Sequence, residues 1–265
     1  MHPYFLDGRR LLFAHRGGAK RFPENTLFAF REAVRLGFTH IETDIQLSAD
    51  GELMVFHDLT LERTTNGKGP VAAKSSAQLR ELDAAYHFRG DGTTPAHRGQ
   101  GHRIPTLLEV LEAFPNTYFN IEMKGEDLRL AGALHAFIER HGVHERVLAA
   151  SANDRLTDRF RALDGARRVP TSPGARDVPR FWAATRIGVA HRMRWPFDVL
   201  QVPRRQGPLT VVDQRFVRAA HRAGIFVHVW TIDDALEMRH LAELGVDGVM
   251  SDRPEVLMQT LSGTH

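Results

Sequence analysis

The sequence contains no cysteine in its 265 residues. A disulfide framework, a thiolate metal site and a cysteine nucleophile are therefore excluded. Long apolar runs are also missing, and none approaches the ~18 residues of a membrane-spanning helix. Met1 to Leu12 holds a very short apolar stretch beside Asp7, Arg9 and Arg10. It does not read as a signal peptide, so a cytoplasmic location is the expectation. Neither sign of charge is in large excess: 35 Lys+Arg oppose 32 Asp+Glu, a formal net charge of +3. That balance does not point to nucleic acid, and the basic stretches at Arg186 to Arg194 and Arg204–Arg205 read as a solvated face. No GxGxxG follows the first apolar run, which argues against a dinucleotide site.

What is present is ordinary for a globular protein: 42% apolar and 25% charged residues. Several segments share one plan, in which an amphipathic stretch ends in Gly and a short apolar run follows. Gly37, Gly142, Gly224 and Gly245 stand at these junctions, where a residue just past a helix takes a left-handed conformation. The runs that follow are short and rich in β-branched residues, as buried parallel strands are. Between them, Leu27, Phe30 and Val34, then Leu130, Leu134, Phe137 and Ile138, then Phe216, Val217 and Ala220 keep helical spacing. Asn25, Asn153 and Asp233 read as helix starts. The pattern predicts strands over 11–15, 40–45, 118–124, 146–151, 167–172, 197–202, 225–230 and 247–251. Eight βα units close a parallel barrel, so the expected fold is a (β/α)8 barrel in a single domain over 1–265. An open doubly wound sheet is the alternative. Residues 59–103 break the rhythm with six glycines and with His87, His97 and His102. This stretch is too long for a βα loop and is expected to be a lid-like insertion on the C-terminal face. Its histidines fit no metal-ligand spacing and read as loop residues.

Three clusters lie at expected strand ends: Ala14-His15-Arg16-Gly17-Gly18, Ile41-Glu42-Thr43-Asp44, and Asn120-Ile121-Glu122-Met123-Lys124. Side chains at i and i+2 of a strand face the same way. Glu42 thus pairs in direction with Asp44, and Glu122 with Lys124. A solvated strand would explain them, but the flanking Ile41, Ile45, Phe119 and Ile121 mark buried strands. Charges inside a barrel are costly unless paired or metal-bound. Three carboxylates are hard ligands suited to one divalent cation, Mg²⁺ or Ca²⁺. Glu42, Asp44 and Glu122 carry −3, the cation +2, and Lys124 with Arg16 +2. The sum is +1, matched to a phosphodiester monoanion. His15 and His57 adjoin these clusters, and imidazole can both take and give a proton near neutral pH.

The segments HRGGAKRFPENT, ETDIQLSADGELMVFHD, LERTTNGKG, RIPTLLEVL, NIEMK, VHVWTIDD and GVDGVMSDRP, in this order, resemble the glycerophosphodiester phosphodiesterase family over about residues 12–258. The resemblance implies a TIM barrel and hydrolysis of a small-molecule glycerophosphodiester to sn-glycerol 3-phosphate and an alcohol. It implies Glu42, Asp44 and Glu122 as metal ligands, His15 and His57 as the acid/base pair, and Arg16 and Lys124 on the phosphate. Trp230 would pack on the glycerol side, although a rim-packing role fits it equally. Glu24 and Asn25 belong to the family motif but read physically as a helix entrance. Arg63 reads as shaping the start of the insertion, and Asp252 before Arg253-Pro254 as a helix cap. AASAND after the fourth strand and the region 170–208 fit the family pattern loosely. A related phosphodiesterase acting on lysophospholipids and a non-catalytic phosphate-binding barrel are the alternatives.

Overall fold

The computed structural model describes residues 2–90 and 92–262. Met1, Asp91 and residues 263–265 of the expected domain lie outside the described residues. The strands are β1 Leu11–His15, β2 His40–Leu47, β3 Leu53–Val55, β4 Tyr118–Met123, β5 Val147–Ala150, β6 Val199–Pro203, β7 Arg205–Gln206, β8 Leu209–Thr210, β9 Phe226–Trp230 and β10 Gly248–Ser251. The helices are α1 Leu27–Arg35, α2 Ser76–Arg80, α3 Leu107–Ala113, α4 Arg129–His141, α5 Asp154–Leu163, α6 Asp177–Arg186, α7 Gln214–Arg222, α8 Ala235–Leu244 and α9 Pro254–Leu261. No helix among the described residues is long and apolar enough to cross a membrane.

The parallel strands run β5-β4-β2-β1-β10-β9-β6 around a curled sheet. The gap between β5 and β6 is filled by the segment at Thr171. Ala149 N donates to Pro170 O at 3.0 Å and Asp198 N to Thr171 O at 2.9 Å. This is the stave expected as a strand over 167–172, and it is reduced to a single bridge. Pro170 has no N–H to give to a ladder, and Arg167 takes φ 50°. The other seven expected strands are present within one or two residues.

All four junction glycines take positive φ. Helix stripes follow the expected spacing with one exception. Val34 is 39% exposed, because α1 buries Ala29, Phe30 and Ala33 instead. The floor of the barrel is plugged by the 3-10 turn Pro3–Gly8, whose Tyr4 and Phe5 pack with Phe13, Leu148 and Val199. Two departures concern the mouth. β3 runs antiparallel to β2, pairing Ile45 with Val55 and Leu47 with Leu53, so the chain folds back over the C-terminal end. The stretch after it has its own small core, in which Leu61, Val71, Leu79 and Ala84 pack on Met54, Phe56 and Ile104.

Candidate active site

Parallel register assembles the site. His15 is paired with Glu42, Glu42 with Asn120, and Asp44 with Glu122. Paired residues on parallel strands point to the same face, so these side chains enter the barrel together. One carboxylate oxygen each from Glu42, Asp44 and Glu122 falls within a cluster no wider than 4.8 Å. Glu42 and Asp44 are buried. Burial raises the Glu42 pKa and the neighbouring Asp44 adds to it. Burial would raise Asp44 too, but Lys124, Arg16, His57 and a hydrogen bond from Asn25 hold it below the carboxylate range.

The cations lie against this cluster. Lys124 Nζ is 3.1 Å from Asp44 Oδ1 and 2.9 Å from Glu122 Oε2. Arg16 Nε is 3.2 Å from Asp44 Oδ2, and its Nη1 donates to Glu24 Oε1 at 3.2 Å. Neither Asp44 Oδ1 nor Arg16 Nε makes an aligned hydrogen bond, so both contacts with Asp44 are ion pairs. Asp44 therefore keeps buried oxygen lone pairs that no donor uses. Such an oxygen beside two further carboxylates fits a hard divalent cation.

Both histidines are backed by an aspartate. His15 Nδ1 donates to Asp252 Oδ1 at 2.6 Å, and His57 Nδ1 to Asp58 Oδ1 at 2.6 Å. These bonds assign the tautomers and leave each Nε2 for chemistry. His15 Nε2 lies 3.6 Å from Glu42 Oε2. Burial would lower the His15 pKa, but Glu42 and Asp252 outweigh it and lift it to about 9. His57 arrives by the β2–β3 fold-back, where Phe56 N donates to Asp44 O at 3.0 Å and Gln46 Nε2 to Phe56 O at 3.1 Å. Arg63 then clamps two carboxylates: its Nη1 and Nη2 each donate to Glu24 at 2.7 Å, and Nη2 also reaches Asp58 Oδ1 at 3.0 Å. Burial would raise Asp58, but Arg63 and His57 hold it at about 2. Trp230 stands at the end of β9, 41% exposed. It borders a cavity of about 280 Å³ that His15, Arg16, Glu42, His57, Glu122 and Lys124 also line. His15, Arg16, Glu42, His57, Glu122, Lys124 and Trp230 are thus brought to one mouth, with Asp44 ion-paired to Arg16 and Lys124 beside it.

Three side chains read as helix caps serve the site instead. Asn25 takes φ 57° and is buried, donating to Asp44 Oδ2 at 2.9 Å and accepting from Thr43 Oγ1 at 2.8 Å. Thr26 caps α1, accepting from Ala29 N at 3.1 Å. The signal was in the sequence: Asn tolerates the left-handed region, and the Thr after it is itself a good cap. Asp252 is spent on His15, and the cap position of α9 falls to Arg253 without a side-chain bond. Asp234, not Asp233, caps α8. Asp233 accepts from Ser251 Oγ at 2.8 Å and Asp252 N at 2.9 Å, which fixes the backbone of the His15 partner.

The model of the glycerophosphoryl diester phosphodiesterase family matches residues 15–256. The chain belongs to this family. It is 34% identical to the probable glycerophosphodiester phosphodiesterase 2 of Mycobacterium tuberculosis, over 97% of this chain and 93% of that protein. It is 31% identical to the glycerophosphodiester phosphodiesterase of Caldanaerobacter subterraneus subsp. tengcongensis, over 94% of this chain and 97% of that one. A phosphodiesterase of Oleispira antarctica, solved in complex with the product sn-glycerol-3-phosphate, superimposes with a TM-score of 0.76 at 25% identity, covering 98% of this chain and 99% of that chain.

Proposed function

We propose that this chain hydrolyses glycerophosphodiesters to sn-glycerol 3-phosphate and an alcohol. The observation that carries the reading is one carboxylate cluster flanked by two histidines, each held by an aspartate. Glu42, Asp44 and Glu122 would hold a divalent cation, Mg²⁺ or Ca²⁺. When bound, it supplies Lewis-acid stabilisation of charge on the phosphate oxygens. Lys124 and Arg16 bind the non-bridging oxygens and keep the diester against the cluster. One Nε2 removes a proton from the nucleophile, which is water or the neighbouring glycerol hydroxyl, and the other delivers a proton to the leaving oxygen; where the glycerol hydroxyl attacks, water then opens the cyclic phosphate. Asp252 and Asp58 keep both rings turned so that Nε2 faces the cavity. Trp230 walls the substrate. The chain acts as one domain, 1–265, in which 59–103 covers the His57 side through the Arg63 clamp.

The test is release of sn-glycerol 3-phosphate from glycerophosphocholine, glycerophosphoethanolamine, glycerophosphoglycerol and glycerophosphoinositol. His15→Ala and His57→Ala are each expected to lose about 10²–10⁴ in turnover. EDTA is expected to abolish activity, and Mg²⁺ or Ca²⁺ to restore it. Near-normal turnover in either variant sinks the histidine assignment, and full activity after exhaustive chelation removes the metal. A lysophospholipid arm tests a second reading. It is favoured by a neighbouring cavity of about 270 Å³, walled by Ala150, Ala152, Pro173, Val178 and Pro203.

A further inference from the structure

The mechanism leaves two amides of the reaction cavity unexplained. Asn120 and Gln201 both line it. Asn120 is 2% exposed, and its Oδ1 accepts no hydrogen bond. Gln201 is half-buried, but its Nε2 is enclosed and donates none. Buried polar atoms without partners cost stability, and native proteins hold few of them. Neither amide touches the carboxylate cluster through any hydrogen bond, nor does either support a histidine.

Register gives their depth. Asn120 sits beside Glu42, one inward-facing position below the Asp44–Glu122 pair on β2 and β4. Gln201 sits beside His228, one inward-facing position below the Pro203–Trp230 pair on β6 and β9. Asp44, Glu122 and Lys124 thus stand above Asn120, which shares its level with Glu42 and His15, and the two neutral amides face the same cavity from beneath. An amide offers a donor and an acceptor whichever way its oxygen and nitrogen are placed. That matches a hydroxyl, which also does both. An alkyl chain at this depth would leave both amides unpaired.

We propose that Asn120 and Gln201 form a hydroxyl-binding subsite in the floor of the cavity, which reads the free hydroxyls of the glycerol moiety. The proposal rests on the hydrolase reading above. It makes the preferred substrate a deacylated diester whose polyol end points inward while its phosphate stays with Lys124 and Arg16.

The test is competitive inhibition by sn-glycerol 3-phosphate, by propane-1,2-diol 1-phosphate and by 3-hydroxypropyl phosphate. The last two each lack one hydroxyl. Inhibition constants are measured with the wild-type chain, Asn120→Leu and Gln201→Met, together with thermal unfolding. The wild type is expected to bind sn-glycerol 3-phosphate roughly tenfold or more tightly than at least one deoxy analogue, the value of one or two hydrogen bonds. Each variant is expected to bring one of these ratios towards unity, with a melting temperature unchanged or raised, since an orphan amide gives way to an apolar isostere. Equal binding of all three ligands by the wild type, or wild-type ratios in both variants, overturns the subsite while leaving hydrolysis intact. Absence of turnover and of product binding in the wild type instead removes the hydrolase reading and the subsite with it. Asn120→Ser replaces Asn120→Leu if the latter does not fold.

Discussion

Asp252 illustrates what a single side chain does here and why its neighbours in sequence do not reveal it. Standing before Arg253-Pro254 it has the form of a helix cap, yet its carboxylate reaches His15 across 237 positions. Asp252→Ala leaves the His15 Nδ1–H without its acceptor and frees the ring to rotate. Turnover is expected to fall roughly tenfold or more, with a smaller change in KM. The loss should stay short of the about 10²–10⁴ of a full acid/base deletion. Steady-state kinetics beside His15→Ala check this, and an unchanged kcat would refute the positioning role. Asn25 and Asp233 hide their partners for the same reason. Cap rules describe a side chain bonding two or three residues on, whereas these bond to Asp44 and to Ser251. His15, His57, Glu42, Asp44, Glu122 and Lys124 were legible because an ionisable residue beside a buried apolar strand already demands a partner.

Among the elements, the turn after β1 carries the most constraint. Arg16, Gly17 and Gly18 take φ 51°, 83° and 104° in succession. This reversal lets Arg16 N donate to Glu42 O at 2.9 Å and sends Asn25 back to Arg16 O at 3.0 Å. A Cβ on Gly17 would lie 2.7 Å from Ala29 Cβ in α1, and one on Gly18 2.7 Å from Pro254 Cγ in α9. Gly17→Ala therefore combines a left-handed conformation with a collision against a packed helix. It is expected to cost at least about 1–2 kcal/mol, read as a lowered urea midpoint at unchanged m, and to lower activity by shifting His15. A midpoint equal to wild type would show that the turn relaxes without loss. The β2–β3 fold-back escaped the periodicity because Leu53–Val55 is a buried triplet that alternates with nothing. Only its pairing with β2 explains how His57 comes to face Asp44.

At the scale of the whole molecule, the barrel has an ionic mouth and an aromatic floor. Phe5 stacks on Phe226 at 4.0 Å, His40 on Tyr118 at 4.8 Å, and Phe13 lies 4.9 Å from His228. His228 is fully enclosed in this floor, and burial, with nearby His40 adding, pushes its pKa down to about 3. Its unfolded value is about 6.5. The folded state therefore keeps the neutral ring, whose contribution is intact above about pH 6.5 and fades as the pH falls towards the folded value. Stability is expected to drop by up to about 1.4 kcal/mol per pH unit over that window. Melting temperatures between pH 7 and 4 should fall less steeply in His228→Leu than in the wild type, and parallel curves would reject the assignment. The sequence by itself determined the class of fold, because strand and helix periods and the glycines between them are local properties of the chain. It also determined the chemical inventory, since three carboxylates, two imidazoles and two cations at strand ends admit few uses. The tertiary structure alone decided which groups meet. Register set Asp44 against Glu122, barrel closure set Asp252 against His15, and the fold-back set His57 over the cluster. Contacts between residues far apart in sequence depend on how whole strands align, and no local pattern encodes that alignment.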